Sequence, residues 1–362
     1  MIPVLEQIER DKGIKKEEIL HMIEHAVVSA YKKHSGKNYN LEAVIDPETA
    51  EIRAYMVKKV VENPENENLE ISLPDAKKMS DEAEIDSLLK IPIDTEDFSR
   101  IAAQTAKQVI IQKIRETERD SLYEEFKQRE GELANGAVHR FVDKNIIVDL
   151  GKAEAILPVR EQVHREHYNI GDRLKVVILK VEKGPRGPQI LASRTTPELV
   201  RRLFEQEVPE IYEKTVEIIA VVRDPGIRSK VAVKSHNFKV DPVGACVGVK
   251  GSRVKPIIDE LFGERIDLIS YFSDSIKYIG ASLSPAKVQT VTIRDEKIKE
   301  AEVIVSDDML SLAIGKQGQN VRLAARLTGW HIDIKSELQK KDQLKEKAAA
   351  STEAITQLDG VG

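Results

Sequence analysis

Ile19, Ile23, Ala26, Val27, Ala30 and Tyr31 recur at three- and four-residue spacing and predict an amphipathic helix over 15–34, which Gly36 can end. Alternation then takes over. Leu41, Ala43 and Ile45 share one face of a strand, Asp46-Pro47-Glu48-Thr49 turns the chain, and Ile52, Ala54 and Met56 alternate again, which predicts a hairpin. Residues 62–86 are acid-rich and read as a surface excursion with a short helix. From Asp97 to Arg129 a helical stripe returns, carried by Phe98, Ile101, Ala102, Thr105 and Val109. Its second half, RETERDSLYEEFKQREG, is mostly charged and reads as a connector, about 45 Å long in all at roughly 1.5 Å per residue. Gly131 and Asn135-Gly136 interrupt the pattern, and the first domain boundary is placed after residue 130.

Five strand-like runs follow: Ala137–Val142, Asn145–Leu150, Ala153–Leu157, Arg173–Val181 and Gln189–Ser193. A helical piece, Val159–Tyr168, separates the third from the fourth. Five strands with a helix between the third and fourth is the plan of an OB barrel, here over 131–197. Gly184-Pro185-Arg186-Gly187 reads as the turn between its last two strands. A helix over Pro197–Glu213 leads into strands Val216–Val222 and Lys230–Lys234, then helix, glycine loop, helix and a strand at Arg265–Tyr271. The same order recurs: a helix at Ser275–Leu283, strands Val288–Ile293 and Glu302–Ser306, helix, glycine loop, helix Gln319–Thr328 and strand His331–Lys335. Two copies of one module are predicted, over 198–274 and 275–337. Residues 338–362 are charged and Ala-rich, a linker, loose helix or disordered tail. Their final ITQLDGVG resembles the opening of a helix-hairpin-helix, either cut short or by chance.

The repeated loop is the strongest chemical signal. Gly248-Val249-Lys250-Gly251 and Gly315-Lys316-Gln317-Gly318 lie 67 residues apart, with Val247 and Ile314 before them and Val254 and Val321 after them at one offset. Glycine allows a tight helix-to-helix turn and close approach of a ligand backbone. The following helix points free N–H groups and its positive dipole end at that place, which favours phosphate. Lys250, Arg253 and Lys255 add positive charge, and Lys316, Gln317, Gln319, Asn320 and Arg322 sit at and after the second loop. A P-loop is excluded, because Lys250 is followed by glycine rather than Ser or Thr, and no GxGxxG is present. The reading is a pair of KH-type clamps on single-stranded RNA, with helix–strand–strand–helix–GxxG–helix–strand in the bacterial-type order. On the barrel, His139, Arg140, Phe141 and Arg194 are candidate RNA contacts. The first three cannot all share one face, and Phe141 either stacks outward or packs inward.

Composition narrows the picture. The net charge of −5 means any RNA footprint must be local, and 4% aromatic residues leave few stacking platforms. One cysteine, Cys246, rules out a disulfide framework, suits a reducing cytoplasm and reads as a small core residue. No apolar run approaches a membrane span, and the first residues lack signal-peptide form. Neither membrane partner nor cofactor is expected, and a monomer is. His21-Met22-Ile23-Glu24-His25 spells an inverted zinc-peptidase signature, and His21 and His25 share a helix face. No third ligand is visible, so a solvated helix face is the alternative. His164 and His167 read as another surface pair.

An S1-type barrel and tandem KH modules behind a domain ending in a long helix resemble the NusA family of bacterial transcription elongation and termination factors. The runs that carry the likeness are VPEI at 208–211, RDPGIRSKVAVK at 223–234, DPVGACVGVKGSRV at 241–254, GERID at 263–267 and IGKQGQNVRLAARLTGW at 314–330. The resemblance implies a multidomain α+β protein without enzymatic activity. It implies an N-terminal α/β domain that docks on core RNA polymerase near the RNA exit channel. The barrel and KH pair would receive nascent RNA and act on pausing, termination and antitermination, together with other such factors. A polynucleotide phosphorylase carries the same modules in reverse order behind catalytic domains. An RNA-binding factor of the ribosome or of RNA turnover is the other reading of the same modules.

Overall fold

A computed structural model describes residues 2–36, 39–49, 51–93, 96–343 and 345. The ITQLDGVG run lies outside them. The chain divides into two units, Met1–Glu124 and Glu125–Gly362. In the first, α1 (Ile2–Lys12) and α2 (Lys16–Ser35) precede strands β1 (Leu41–Ile45), β2 (Ile52–Val61) and β3 (Glu70–Ser72), then α3 (Leu73–Lys77), β4 (Leu88–Ile93) and α4 (Glu96–Gln128). The predicted hairpin is present with Leu41 opposite Met56, and Gly36 ends α2 in a left-handed conformation. Ile19, Ile23 and Val27 of α2 pack with Leu5 and Ile8 of α1, Ile45 and Ala54 of the sheet, and Phe98, Ala102 and Ala106 of α4.

Three elements here escape the hydrophobic pattern. Helix α1 is short, its second half is mostly charged, and only Leu5 and Ile8 are buried. Strand β3 is three residues inside the acid-rich stretch. Strand β4 carries Pro92, which demotes a run as a strand, and its side chains are only partly covered.

The second unit opens with a closed barrel ordered β5 (Leu133–Val142), β6 (Asn145–Asp149), β7 (Glu154–Leu157), β9 (Gly187–Ser193) and β8 (Arg173–Gly184). Asn135-Gly136 is not a break but lies inside β5. A Cβ on Gly136 would stand 2.4 Å from Cγ1 of Val148 and 2.9 Å from the carbonyl of Asp149, so glycine serves close strand approach there. The expected helix at 159–168 is one short 3-10 turn, Val159–Glu161, followed by turns. Gly184 pairs with Gly187, making the predicted tight turn.

Beyond the barrel, α5 (Pro197–Glu207) is capped by Thr196 and stops at Val208, where Pro209 opens the four-residue α6 (Pro209–Tyr212). The expected single helix is thus two, because proline cannot donate to the preceding turn. Strands β10 (Val216–Asp224) and β11 (Arg228–Ser235) are antiparallel, α7 (Pro242–Val247) and α8 (Val254–Glu260) flank the first loop, and β12 (Arg265–Ser270) pairs parallel with β11. The second copy repeats this with α9 (Ser275–Ser282), β13 (Val288–Asp295), β14 (Glu300–Val305), α10 (Asp307–Ile314), α11 (Gln319–Thr328) and β15 (His331–Ser336). The register is shared: Lys230 faces Asp267 in the first copy and Glu302 faces Asp333 in the second. A further helical stretch over 337–343 is tied back rather than loose, since Lys340 bonds the buried Glu302.

Buried ion pairs join these modules. Arg194, fully buried where the barrel ends, bonds Glu166 through Nε and Nη2. Its Nη1 reaches Oε1 of Glu260 at 2.9 Å and the carbonyl of Lys175 at 2.7 Å. Arg223 donates to both carboxylate oxygens of Glu264 and to the carbonyls of Arg194 and Thr196. Glu264 also accepts from the Gly226 amide and the Ser229 hydroxyl. Between the KH copies, Val222, Ala232 and Ile269 pack against Tyr278, Leu323 and Leu327. Lys230 is buried beside them, its Nζ 3.1 Å from Asp267 and 2.8 Å from the carbonyl of Ser284, and burial pushes its ammonium down to about 8.

Glu264→Ala would leave the Arg223 guanidinium buried without its counter-ion. We expect a loss of about 3–5 kcal/mol in urea denaturation of the full chain followed by circular dichroism. Glu154→Ala, at an exposed pair, should leave the midpoint nearly unmoved.

Candidate nucleic-acid interface

The two glycine loops have one backbone. Gly248 and Gly315 adopt φ/ψ of 73°/172° and 77°/171°, and Lys250 and Gln317 adopt 53°/30° and 53°/32°. Left-handed φ at a lysine and a glutamine costs about 1 kcal/mol or more each, a strain that clusters at ligand clamps. The first glycine of each loop is required by contact. A Cβ there would meet the Arg253 side chain at 2.8 Å in one copy and the Asn320 amide nitrogen at 2.8 Å in the other. At the last glycines, Gly251 and Gly318, the nearest neighbour of such a Cβ is a valine methyl at 3.9 Å. Those positions are open on the ligand side.

The residue five after the first glycine has the same task in both copies. Arg253 Nη1 donates to the carbonyl of Ala245 at 2.6 Å and to Glu210 at 2.8 Å. Asn320 Nδ2 donates to the carbonyls of Ala313 at 3.0 Å and Leu283 at 2.9 Å. Each bonds a carbonyl near the end of the preceding helix, which the helix leaves unpaired. Arg253 is therefore a tie within the first module, and its charge is matched by Glu210. Asn320 is fully buried and is removed from the set of surface contacts.

Lys250, Lys255, Lys316 and Gln317 are exposed, and among the described residues no ion pair or hydrogen bond engages the three lysines. Val249, between Gly248 and Lys250, is 83% exposed. Lysine occupies the third loop position in the first copy and the second in the second, so the loops present charge in different places. Gln319 and Arg322 project from the start of α11, and both reach Asp224 of the first KH copy. Cys246 is fully buried beside the loop, and burial pushes its thiol up to about 12, as suits a core residue.

The barrel candidates divide. His139 is the unmatched residue of a bulge between Val138 and Arg140, which lets His139 and Arg140 both face out. Both reach Glu154, Arg140 Nη2 at 2.7 Å and His139 Nδ1 at 2.9 Å. Arg140 beside it holds the Glu154 carboxyl down at about 2. Phe141 pairs with the buried Ile146, in the row that faces the barrel interior, yet is 47% exposed. Arg194 is a correction: it lies inside, with every N–H bonded to a protein acceptor, and offers nothing to RNA. Sequence reasoning also missed Asp224 and Arg326, whose partners lie about a hundred residues apart in the chain.

The zinc-peptidase spelling resolves into packing. His21 Nδ1 lies 2.9 Å from Glu24 Oε2, while Glu24 Oε1 accepts the amide of Ile45 and fastens α2 to β1. His164 lies on a turn and His167 in irregular chain, both exposed, rather than on a helix.

This geometry predicts that Lys250→Ala with Lys316→Ala weakens binding of single-stranded RNA at all sequences. The slope of log affinity against log salt should fall by about 0.7 for each phosphate no longer neutralised. RNA titration at several salt concentrations measures both. Unchanged affinity and slope in a folded variant would contradict the assignment of the loops.

Comparison with known proteins places these parts. Residues 1–120 match the NusA N-terminal domain, 127–192 the S1 RNA binding domain, 194–271 the NusA-like first KH domain and 276–342 the NusA-like second KH domain. The chain is 49% identical to the transcription termination/antitermination protein NusA of Halalkalibacterium halodurans, over 97% of this chain and 92% of that one. It is 49% identical to the Bacillus subtilis protein of that name over 93% and 91%, and 39% identical to the Thermus thermophilus one over 96% and 93%. The chain therefore belongs to the NusA family of transcription termination/antitermination proteins, a family of transcription factors with RNA-binding domains and not of enzymes.

Proposed function

We propose that this chain binds RNA polymerase through residues 1–130 and holds nascent single-stranded RNA on residues 131–337, and so modulates pausing, termination and antitermination. The observation that carries the RNA half is the pair of loops with one strained backbone, each presenting an uncompensated lysine in a chain of net charge −5. Backbone amides, a helix start and lysine without a neighbouring acid form a site for phosphate. The barrel contributes a second, weaker surface at His139, Arg140 and Phe141, where Glu154 competes with any phosphate.

The polymerase half rests on different chemistry. The first unit carries no glycine clamp, and its acid-rich stretch over 62–86 would repel RNA while suiting a basic protein surface. We assign the barrel to 131–197, the KH modules to 198–274 and 275–337, and the tail to 338–362. The setting is the cytoplasm, the chain acts as a monomer, and its partners are core polymerase, emerging RNA and other termination or antitermination factors. No helix among the described residues is long and apolar enough to cross a membrane.

Separated fragments test the division. A 1–130 fragment should bind core polymerase and alter RNA handling only in part. A fragment from 131 onward should bind free RNA and join polymerase with reduced affinity. RNA binding by the first fragment and polymerase binding by the second alone would reverse the assignment. Failure of both to bind polymerase, with one joining ribosomes, would refute the transcription role proposed for these surfaces.

A further inference from the structure

Asp224 ends β10 of the first KH module, yet its carboxylate serves the second. Oδ2 accepts from Nη2 of Arg322 at 2.9 Å and from Nε2 of Gln319 at 3.1 Å. Oδ1 accepts from Nη1 of Arg326 at 3.3 Å. Residues 319, 322 and 326 follow the spacing of one helix face on α11, directly after the Gly-Lys-Gln-Gly loop. The acid is set back, with its side chain 17% exposed, while the two arginine side chains are 55% and 51% exposed. Each arginine commits one terminal nitrogen to the carboxylate.

Two arginines one turn apart repel each other, and each has a long side chain with many rotamers. A single carboxylate behind them offsets the repulsion and fixes both. The trio keeps one net positive charge beside the second loop. A planar guanidinium already held in place loses less freedom when it binds phosphate.

We propose that Asp224 is a positioning residue for RNA binding, holding Arg322 and Arg326 as a preorganised fork for a further phosphate of the strand gripped by the second loop. This rests on the RNA-binding role proposed above. It makes the site composite, since the first KH module sets the geometry with which the second binds. It also adds Arg326 to the interface. Coulomb's law alone gives the opposite sign, because a carboxylate near the RNA path should weaken binding and its removal should tighten it.

The test is titration of the full chain with a 12-nucleotide single-stranded RNA of mixed sequence, read by fluorescence anisotropy at several salt concentrations. Asp224→Asn should weaken binding about three- to tenfold. Asp224→Glu should retain most of the affinity. Arg326→Gln should weaken binding and lower the salt slope by about 0.7. The Asp224→Asn/Arg326→Gln double variant should lose little more than either single one. Binding that is unchanged or tighter in Asp224→Asn overturns the proposal. So does an equal loss in Lys230→Met, which cuts the polar tie to Ser284 without touching the arginines, for that would mark general loosening of the KH pair. Absence of RNA binding by the unaltered chain would instead refute the functional reading beneath it.

Discussion

A guanidinium taken out of water must have every N–H bonded and its charge matched, or it destabilises the fold by several kcal/mol. Arg194 has every N–H bonded, Arg223 has each of its three nitrogens bonded, and both face carboxylates; the rest of the second unit depends on these ties. Arg194 leaves the barrel and finds Glu166 on one side and Glu260 of the first KH module on the other. Arg223 leaves the KH sheet and finds Glu264, together with the carbonyls of Arg194 and Thr196 in the connection from the barrel. Buried ion pairs of this kind add little net stability over apolar packing, but few relative placements satisfy so many directed bonds. They fix orientation, and orientation is what separate RNA-binding modules need to share one strand.

The same logic continues outward. Lys230 binds Asp267 within its own sheet and the carbonyl of Ser284 in the next module, and Asp224 gathers Gln319, Arg322 and Arg326. The runs RDPGIRSK and GERID, which mark the family, thus supply the joints between modules, whereas Lys250 and Lys316 of the loops face solvent. A chain with net negative charge can still present local positive sites, because most of its other arginines near the interface are already matched by acids. The barrel shows the limit of that matching. Arg140 and His139 are exposed, but Glu154 sits between them.

Much of this was legible in the sequence where the signal is local. The repeated glycine loop, the five strand runs and the long half-solvated helix each follow from spacing within a few residues, and the structure contains them. Pattern failed where the deciding contact is distant or the element is marginal. Asn135-Gly136 has the spelling of a turn, but it pairs with Leu174 and Lys175 of β8, and Gly136 lies against Val148 of the neighbouring β6. Pro92 argues against β4, which is nonetheless paired along β2. Arg194 looks like a surface cation until its partners, 28 and 66 residues away, are brought together by the fold. Asn320 looks like part of a polar loop, yet its amide bonds the carbonyl of Ala313 near the end of α10 and is buried for that reason.

On the proposed reading, one RNA strand engages both glycine loops on a frame held rigid by buried ion pairs. Hydrogen exchange of the full chain, with and without single-stranded RNA, reads out both loops at once. Added RNA should slow exchange at 248–252 and at 315–322 together, with one midpoint, and leave β11 and β12 unchanged. Protection of one loop alone, or of the two at well-separated RNA concentrations, would contradict a single continuous interface.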